Sequence, residues 1–173
     1  MTRSHSRPLS SALVAGALAL GLGSVLLARS DAGEKVTLVV IVNKARPETD
    51  LSSTALGRLY RGESKFWDNE DRVVLFLPPS SLDEALRSRS LSTIAKLNVA
   101  EFVRYWQERV FRGENRVAPL TPRDANAAAQ AVFGSRSAIA ILEAGAVPNL
   151  EQVARVLTID GKTPGSPSYP LSY

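Results

Sequence analysis

The stretch VTLVVIVN, from Val36 to Asn43, is the feature that most constrains the fold. It is β-branched and continuously apolar, without the alternation expected of a strand that has one face in water. Such a run is typical of a strand covered on both faces, as in a parallel sheet with helices on either side. Because this strand needs a packing layer on each face, the sequence predicts a layered α/β domain.

Strand and helix signals alternate along the rest of the chain. Further strands are predicted in RVVLFLP, AIAIL and VARVLTID, RVAPL is a candidate short strand, and the tail GKTPGSPSYPLSY is predicted to lie extended on the surface. This alternation predicts α/β architecture with a mixed or largely parallel sheet, and about 140 residues suffice for one core. Helices are predicted from Ser52 or Ser53 to Tyr60, from Asp83 to Leu97, after the Asn98–Glu101 capping pair, and from Thr121-Pro122 to Phe133.

The N-terminal segment has the pattern of a secretory signal. A basic start is followed by an apolar run from Ala12 to Leu27, and Ser30 and Ala32 provide small residues before Gly33. We therefore predict a signal peptide at 1–32 and a single domain at 33–173, with a periplasmic or secreted location. An uncleaved N-terminal anchor stays open as the alternative, and it would be the only contact with a membrane.

Composition excludes several kinds of chemistry. The chain has no Cys, and its one His, His5, lies inside the predicted signal. The mature chain therefore cannot use a Ser-His-Asp or Cys-His mechanism or build the usual zinc site. Removal of 1–32 leaves 18 basic and 16 acidic residues, a net charge of +2. Without a Lys/Arg run, no nucleic-acid partner is expected. We predict a non-enzymatic protein without a cofactor.

Four residues are candidates for ligand binding. Asn43 ends the first strand, where open α/β sheets place ligands. Ser80 and Ser81 follow the second strand and precede a helix, so their hydroxyls and the free N–H groups of the helix start are suited to an oxyanion, with added charge from Arg87. The alternative is structural: Asn43 turns the chain, and the serines cap the helix.

Two tryptophans and one acidic cluster also allow two interpretations. Trp106 lies on the apolar stripe of a helix, which favours the core over a ligand. Trp67 lies in a polar loop, and we expect it to fold back over the core as a lid. The cluster DNED, Asp68 to Asp71, favours a solvated turn over a calcium site because it lacks the length and glycine of a calcium loop.

Several motifs occur in an order that is similar to one protein family. They are VVIVN, LSSTALGRLYRGESKFW, YWQERVFRGENRVAP, SAIAIL, VARVLTIDG and YPL, and they cover most of 36–171. This order resembles the second lobe of the phosphate-type substrate-binding proteins of ABC transporters, and the small one-lobe proteins of that group. The resemblance implies an α/β fold: a single lobe of the type II periplasmic binding protein fold, with a mixed or parallel sheet flanked by helices.

The sequence departs from the family at the phosphate loop. The family has Ser-Gly-Thr where this chain has Pro78–Leu82, without Gly or Thr, and SAIAI replaces GAIGY. The other ligand loop of the family belongs to the first lobe, which this chain is too short to include. The resemblance implies weak binding of a small oxyanion such as phosphate, with an ABC transporter or another envelope protein as partner. The alternative function is a ligand-free protein-interaction module of the cell envelope.

Overall fold

The computed structural model describes residues 35–68 and 71–173, so the predicted signal or anchor at 1–32 lies outside the described residues. Within the described ranges, no helix combines the length and the apolar character needed to cross a membrane. The elements are β1 Leu38–Asn43, β2 Asp50–Leu51, α1 Ser53–Tyr60, β3 Val74–Leu75, α2 Glu84–Ala95, α3 Val99–Phe111, α4 Ala125–Gly134, β4 Ala138–Glu143, α5 Leu150–Val153, β5 Ala154–Val156 and β6 Thr158–Ile159.

The main sheet is mixed. Its strand order is β3-β4-β1-β5, with β1 antiparallel to both of its neighbours and β3 parallel to β4. A second, two-stranded parallel sheet joins β2 to β6. The predicted mixed sheet flanked by helices is therefore confirmed.

Strand β1 is covered on both faces, as its composition predicts. Leu38, Val40 and Val42 contribute to the core cluster that also contains residues of α1, α2 and α3. Val39 and Ile41 contribute to the opposite cluster, which includes Ala128, Ala129 and Val132 of α4. Within this mixed sheet, β1 itself is antiparallel to both of its neighbours. A continuous apolar run reports the layers that cover a strand, and it carries no information about the direction of its neighbours.

Helix signals set most of the boundaries. Ser52 caps α1, and Asn98 and Glu101 form the predicted capping box of α3. On α3, Trp106 is 4% exposed and donates from Nε1 to the Tyr60 carbonyl at 3.0 Å, which confirms its place in the core. The start predicted for α4 is wrong: Asp124, not Thr121, is the N-cap, because its carboxylate accepts the Ala127 N–H at 2.8 Å.

Three predicted strands are shorter than their apolar runs. RVVLFLP forms a regular strand only at Val74–Leu75, and RVAPL contributes a single bridge between Phe76 and Leu120. VARVLTID splits into β5 and β6, which belong to different sheets. Apolar composition predicts burial at these positions, whereas regular pairing needs a partner along the whole run.

The C-terminal tail is the largest correction to the predicted surface. Tyr169 is 3% exposed and Leu171 is 1% exposed, and both belong to the core cluster beneath α1 to α3. The tail also pairs with the beginning of the β1 region: Leu38 donates to the Leu171 carbonyl and Tyr173 to the Val36 carbonyl, each at 2.9 Å. The Pro, Gly and Ser content predicts an extended tail correctly but misses the two apolar side chains that bury it.

Candidate functional site

The backbone N–H groups of Ser80 and Ser81 are already bonded. Ser80 donates to the Pro122 carbonyl at 2.9 Å, and Ser81 donates to the Arg123 carbonyl at 3.0 Å. The Ser80 hydroxyl donates to the same Arg123 carbonyl at 3.2 Å. These two N–H groups are therefore not available to an anion. The serines fasten the end of the β3 segment to the turn before α4.

The helix after these serines is capped by a carboxylate. Asp83 is the N-cap of α2 and accepts the Leu86 N–H at 3.0 Å, so the serines lie outside the helix start. A crevice of 260 Å³ lies beside them, and its charged lining among the described residues is Asp83 and Glu143. Two carboxylates next to an anion raise its energy, so this crevice is poorly suited to phosphate.

The side chain of Asn43 is also fully used. Its amide donates to the carbonyls of Val132 at 2.9 Å and Phe133 at 3.0 Å, and its Oδ1 accepts the Ala45 N–H at 2.9 Å. These bonds join the end of β1 to the last turn of α4. They match the structural interpretation of Asn43 as the residue that turns the chain.

The topology separates the predicted site residues. Asn43 follows Val42, which pairs with Ile139 near the beginning of β4, because β1 is antiparallel to β4. Ser81 shares its crevice with Glu143 at the end of β4. The length of β4 therefore places Asn43 and Ser81 about 17 Å apart along the sheet. Arg87 does not line that crevice, and its buried Nε has no hydrogen-bond partner among the described residues. The four residues do not form one site.

A different cavity lies beside the edge strand β3, and we call it the β3 groove. It has a volume of 290 Å³ and lies between the segments 72–75 and 115–120. Gly62 also lines it, at a φ of +66°, where an added Cβ would come within 2.6 Å of the Trp106 ring. Its apolar lining consists of Val73, Val74, Leu75, Trp106, Val117, Ala118, Pro119 and Leu120.

The charged side chains described in the lining of the β3 groove are all cationic: Lys65, Arg72 and Arg116. Lys65 donates from Nζ to the Glu114 carbonyl at 2.5 Å. The Arg72 guanidinium lies 5.4 Å from the centre of the Phe66 ring. Arg116 is exposed to solvent. The groove therefore combines apolar walls with a positive field.

Carboxylates described near the β3 groove have their own cationic partners. Glu63 accepts from Arg61 at 2.7 Å, and this hydrogen bond holds the pKa of the Glu63 carboxyl below its usual range. Glu114 pairs with Arg112 at 2.8 Å and with Arg109 at 3.3 Å. Because these acids are neutralised locally, they do little to cancel the charge of the groove.

Sequence reasoning does not find this groove. Its three cations are spread over more than 50 positions and alternate with acids along the chain. That alternation indicates a solvated surface rather than a basic patch. The structure shows which acids are already paired with other arginines. Among the residues that the structure describes, the cations of the groove are therefore left without nearby acids to balance their charge.

The loop that carries Arg72 is anchored by Arg46 and Trp67. Trp67 is 6% exposed and donates from Nε1 to the Ser137 carbonyl at 3.0 Å, which confirms that it folds back over the core. The Arg46 guanidinium, itself 1% exposed, lies 4.4 Å from the centre of the Trp67 ring. Arg46 also pairs with Glu48 at 2.8 Å and with Asp71 at 3.5 Å. No sequence pattern marks Arg46.

The Arg46–Glu48 pair predicts a loss of stability in acid. The hydrogen bond from Arg46 holds the pKa of Glu48 below its ordinary value of about 4.3 in an unfolded chain. A lowered folded-state pKa gives a contribution that is complete above about pH 5 and is lost as the pH falls through the folded value. We expect the midpoint of urea unfolding to decrease between pH 5 and pH 3, and to decrease less in Glu48→Gln. An equal decrease in both would contradict this assignment.

No protein-family model and no curated protein matches this chain. Solved structures do match its fold. An ABC-type phosphate transport receptor from Vibrio cholerae is 19% identical with a TM-score of 0.60, and the match covers 80% of this chain and 54% of that one. The phosphate-binding protein PstS from Borrelia burgdorferi is 14% identical with a TM-score of 0.59, covering 80% and 55%. A putative phosphate ABC transporter substrate-binding protein with bound phosphate from Clostridium perfringens is 14% identical with a TM-score of 0.56, covering 75% and 47%.

The matching region of this chain spans about half the length of these proteins. At such low identity the likeness concerns the fold alone, and the described main sheet has an apolar cluster on each face. The resemblance inferred from the order of the sequence motifs is confirmed at that level. The described part of the chain has the fold of a single lobe of the substrate-binding proteins of phosphate ABC transporters.

Proposed function

We propose that this chain is a non-catalytic, exported, solute-binding-protein-like domain that holds a small anion in the β3 groove. One observation carries the proposal: the charged side chains described in the lining of a 290 Å³ cavity are all cationic. The groove replaces the predicted site around Asn43, Ser80 and Ser81, whose backbone and amide donors are already bonded to protein carbonyls.

The apolar walls strengthen this attraction. Leu75 and Trp106 are 9% and 4% exposed, so an anion in the groove lies against a poorly hydrated surface. Charge–charge attraction is stronger where less water screens it. Arg72 and Arg116 offer planar groups that can donate two parallel hydrogen bonds to one anion.

Affinity is expected to be weak for one lobe alone. Tight small-molecule sites bury most of the ligand surface, whereas the β3 groove is open on one side. We therefore propose a Kd on the order of 1 mM for the isolated chain. An ABC transporter or another envelope protein that covers the open side would tighten binding by supplying a second wall.

A thermal-shift titration tests the proposal. The purified chain is heated with phosphate, sulfate, acetate or benzoate at about 20 mM, and with sodium chloride at equal ionic strength. A ligand with a Kd of about 1 mM stabilises the fold by about 1.8 kcal/mol at that concentration. For a domain of this size, the melting temperature should rise by about 5 °C with at least one anion.

Variants assign the effect to the groove. The double variant Arg72→Gln/Arg116→Gln should lose most of the shift in melting temperature. The control Arg104→Gln/Arg123→Gln removes the same charge from exposed positions elsewhere, and it should keep the full shift. Ser80→Ala/Ser81→Ala should also leave it. The proposal fails if no anion shifts the melting temperature, or if the serine variant removes the shift and the groove variant does not.

A second candidate function is a protein-interaction module of the envelope. One observation favours it: Phe111 is 93% exposed at the end of α3, and Val103 and Val110 on the same helix are 46% and 36% exposed. Exposed apolar side chains that form one contiguous patch are typical of contact surfaces. Self-association that Phe111→Ser abolishes, together with no response to any anion, would favour this candidate over anion binding.

A further inference from the structure

We infer that the ligand of the β3 groove is a small organic carboxylate with an apolar body, and not an inorganic oxyanion. The inference rests on the proposed function and names the chemical class that the groove accepts. It comes from the lining of the cavity, which is mostly apolar. A compact, fully hydrated anion is better matched by a polar lining.

The walls favour an apolar body. Eight of the lining residues are apolar, from the buried Leu75 and Trp106 to the exposed Val117 and Leu120, which are 67% and 48% exposed. Apolar surface contributes to binding in proportion to the area that it removes from water. An inorganic anion covers little of that surface, whereas an aromatic or branched aliphatic group covers much of it.

The groove offers few neutral donors to an inorganic oxyanion. Ser64 and Asn115 are the uncharged polar side chains described in the lining. Asn115 is 5% exposed; we assign its amide the orientation that satisfies both of its atoms, in which Oδ1 accepts from Arg109 Nε at 3.1 Å and Nδ2 donates to the Glu114 carbonyl at 3.3 Å. The oxygens of a phosphate that face the apolar walls would lose water without gaining a protein partner.

The cations suit one carboxylate. Arg72 and Arg116 are both exposed, and they approach the groove from its two walls, the segments 72–75 and 115–120. A guanidinium matches a carboxylate with two parallel hydrogen bonds. The volume of 290 Å³ is at the lower end of the range of about 300–1,000 Å³ for small-molecule sites. A carboxylate of the size of benzoate therefore fits the groove.

Calorimetric titration of the purified chain with benzoate, benzamide and inorganic phosphate tests the inference. Benzoate should bind at least about tenfold more tightly than either of the others, because benzamide lacks the charge and phosphate lacks the apolar body. Benzamide also controls for partitioning of an aromatic ring onto apolar surface elsewhere on the chain.

Two substitutions separate the contributions. Val117→Asn should weaken benzoate binding about threefold by removing an apolar wall, and the matched exposed change Val103→Asn on α3 should not. Arg116→Gln should weaken it about fivefold, and Arg104→Gln should not.

The results distinguish this inference from the proposed function. Phosphate that binds as tightly as benzoate, with Arg116→Gln weakening both, would overturn the inference and leave the proposed function in place. Benzamide that binds as tightly as benzoate would overturn both, because the cations would then contribute nothing. No binding by any of the three would also overturn both.

Discussion

Arg46→Ala is expected to lower the free energy of unfolding by about 3 kcal/mol. Arg46 is 1% exposed, pairs with Glu48 and Asp71, and lies against the Trp67 ring. Its removal leaves the charge of Glu48, which is only 14% exposed, without its hydrogen-bonded guanidinium partner. Breaking a buried pair from one side costs more than the pair contributes, because the remaining charge stays desolvated. The more exposed Asp71, at 41%, adds little.

Urea unfolding followed by circular dichroism measures this loss. Arg112→Ala is the matched control: it also removes an arginine from an ion pair, with Glu114, but Arg112 is 57% exposed. That change should cost less than about 1 kcal/mol. Equal losses in the two variants would show that burial of Arg46 contributes nothing, and the anchoring of Trp67 and Asp71 by Arg46 would then be wrong.

Leu171→Ala is expected to lower the free energy of unfolding by about 3 kcal/mol, because it leaves a cavity in the main core. Leu171 is 1% exposed and lies in the same cluster as Leu38, Trp106 and Tyr169. Its carbonyl also accepts the Leu38 N–H, so the tail is fixed along the edge of β1 and the neighbouring side chains cannot easily collapse into the space.

The control for this change is Leu120→Ala, which removes the same atoms from a residue that is 48% exposed. It should cost less than about 1 kcal/mol, because little buried surface is lost. A loss below about 1 kcal/mol for Leu171→Ala would mean that the tail does not contribute to the core.

The sequence predicts those parts of the fold that depend on local chemistry. The VTLVVIVN run requires cover on both faces, and Ser52 and the Asn98–Glu101 pair mark helix starts through their own side chains. It does not predict the place of the tail. Burial of Leu171 depends on contact with Leu38, 133 positions earlier, and a region rich in Pro, Gly and Ser gives no sign of that contact.

The sequence predicts less of the candidate site than of the fold. Ser80 and Ser81 have the residue types of an anion site, but carbonyls from the Pro122–Arg123 turn take their donors. Asn43 and the two serines lie at opposite ends of the sheet because β1 is antiparallel to β4, whereas β3 is parallel to β4. Composition does not encode these strand directions. The β3 groove depends on Arg72 and Arg116, which are 44 positions apart, lining one cavity while nearby acids pair elsewhere, and only the three-dimensional structure shows this.

We propose that an anion binds beside β3 and not at the Ser80–Ser81 crevice. Chemical-shift mapping of the amide groups during a benzoate titration tests it most directly, because each backbone N–H reports its own surroundings. We predict that the largest changes fall on 72–75 and 115–120, with little change at 80–83 and 143–146. Changes concentrated at 80–83, or no saturable change at all, would contradict anion binding in the β3 groove.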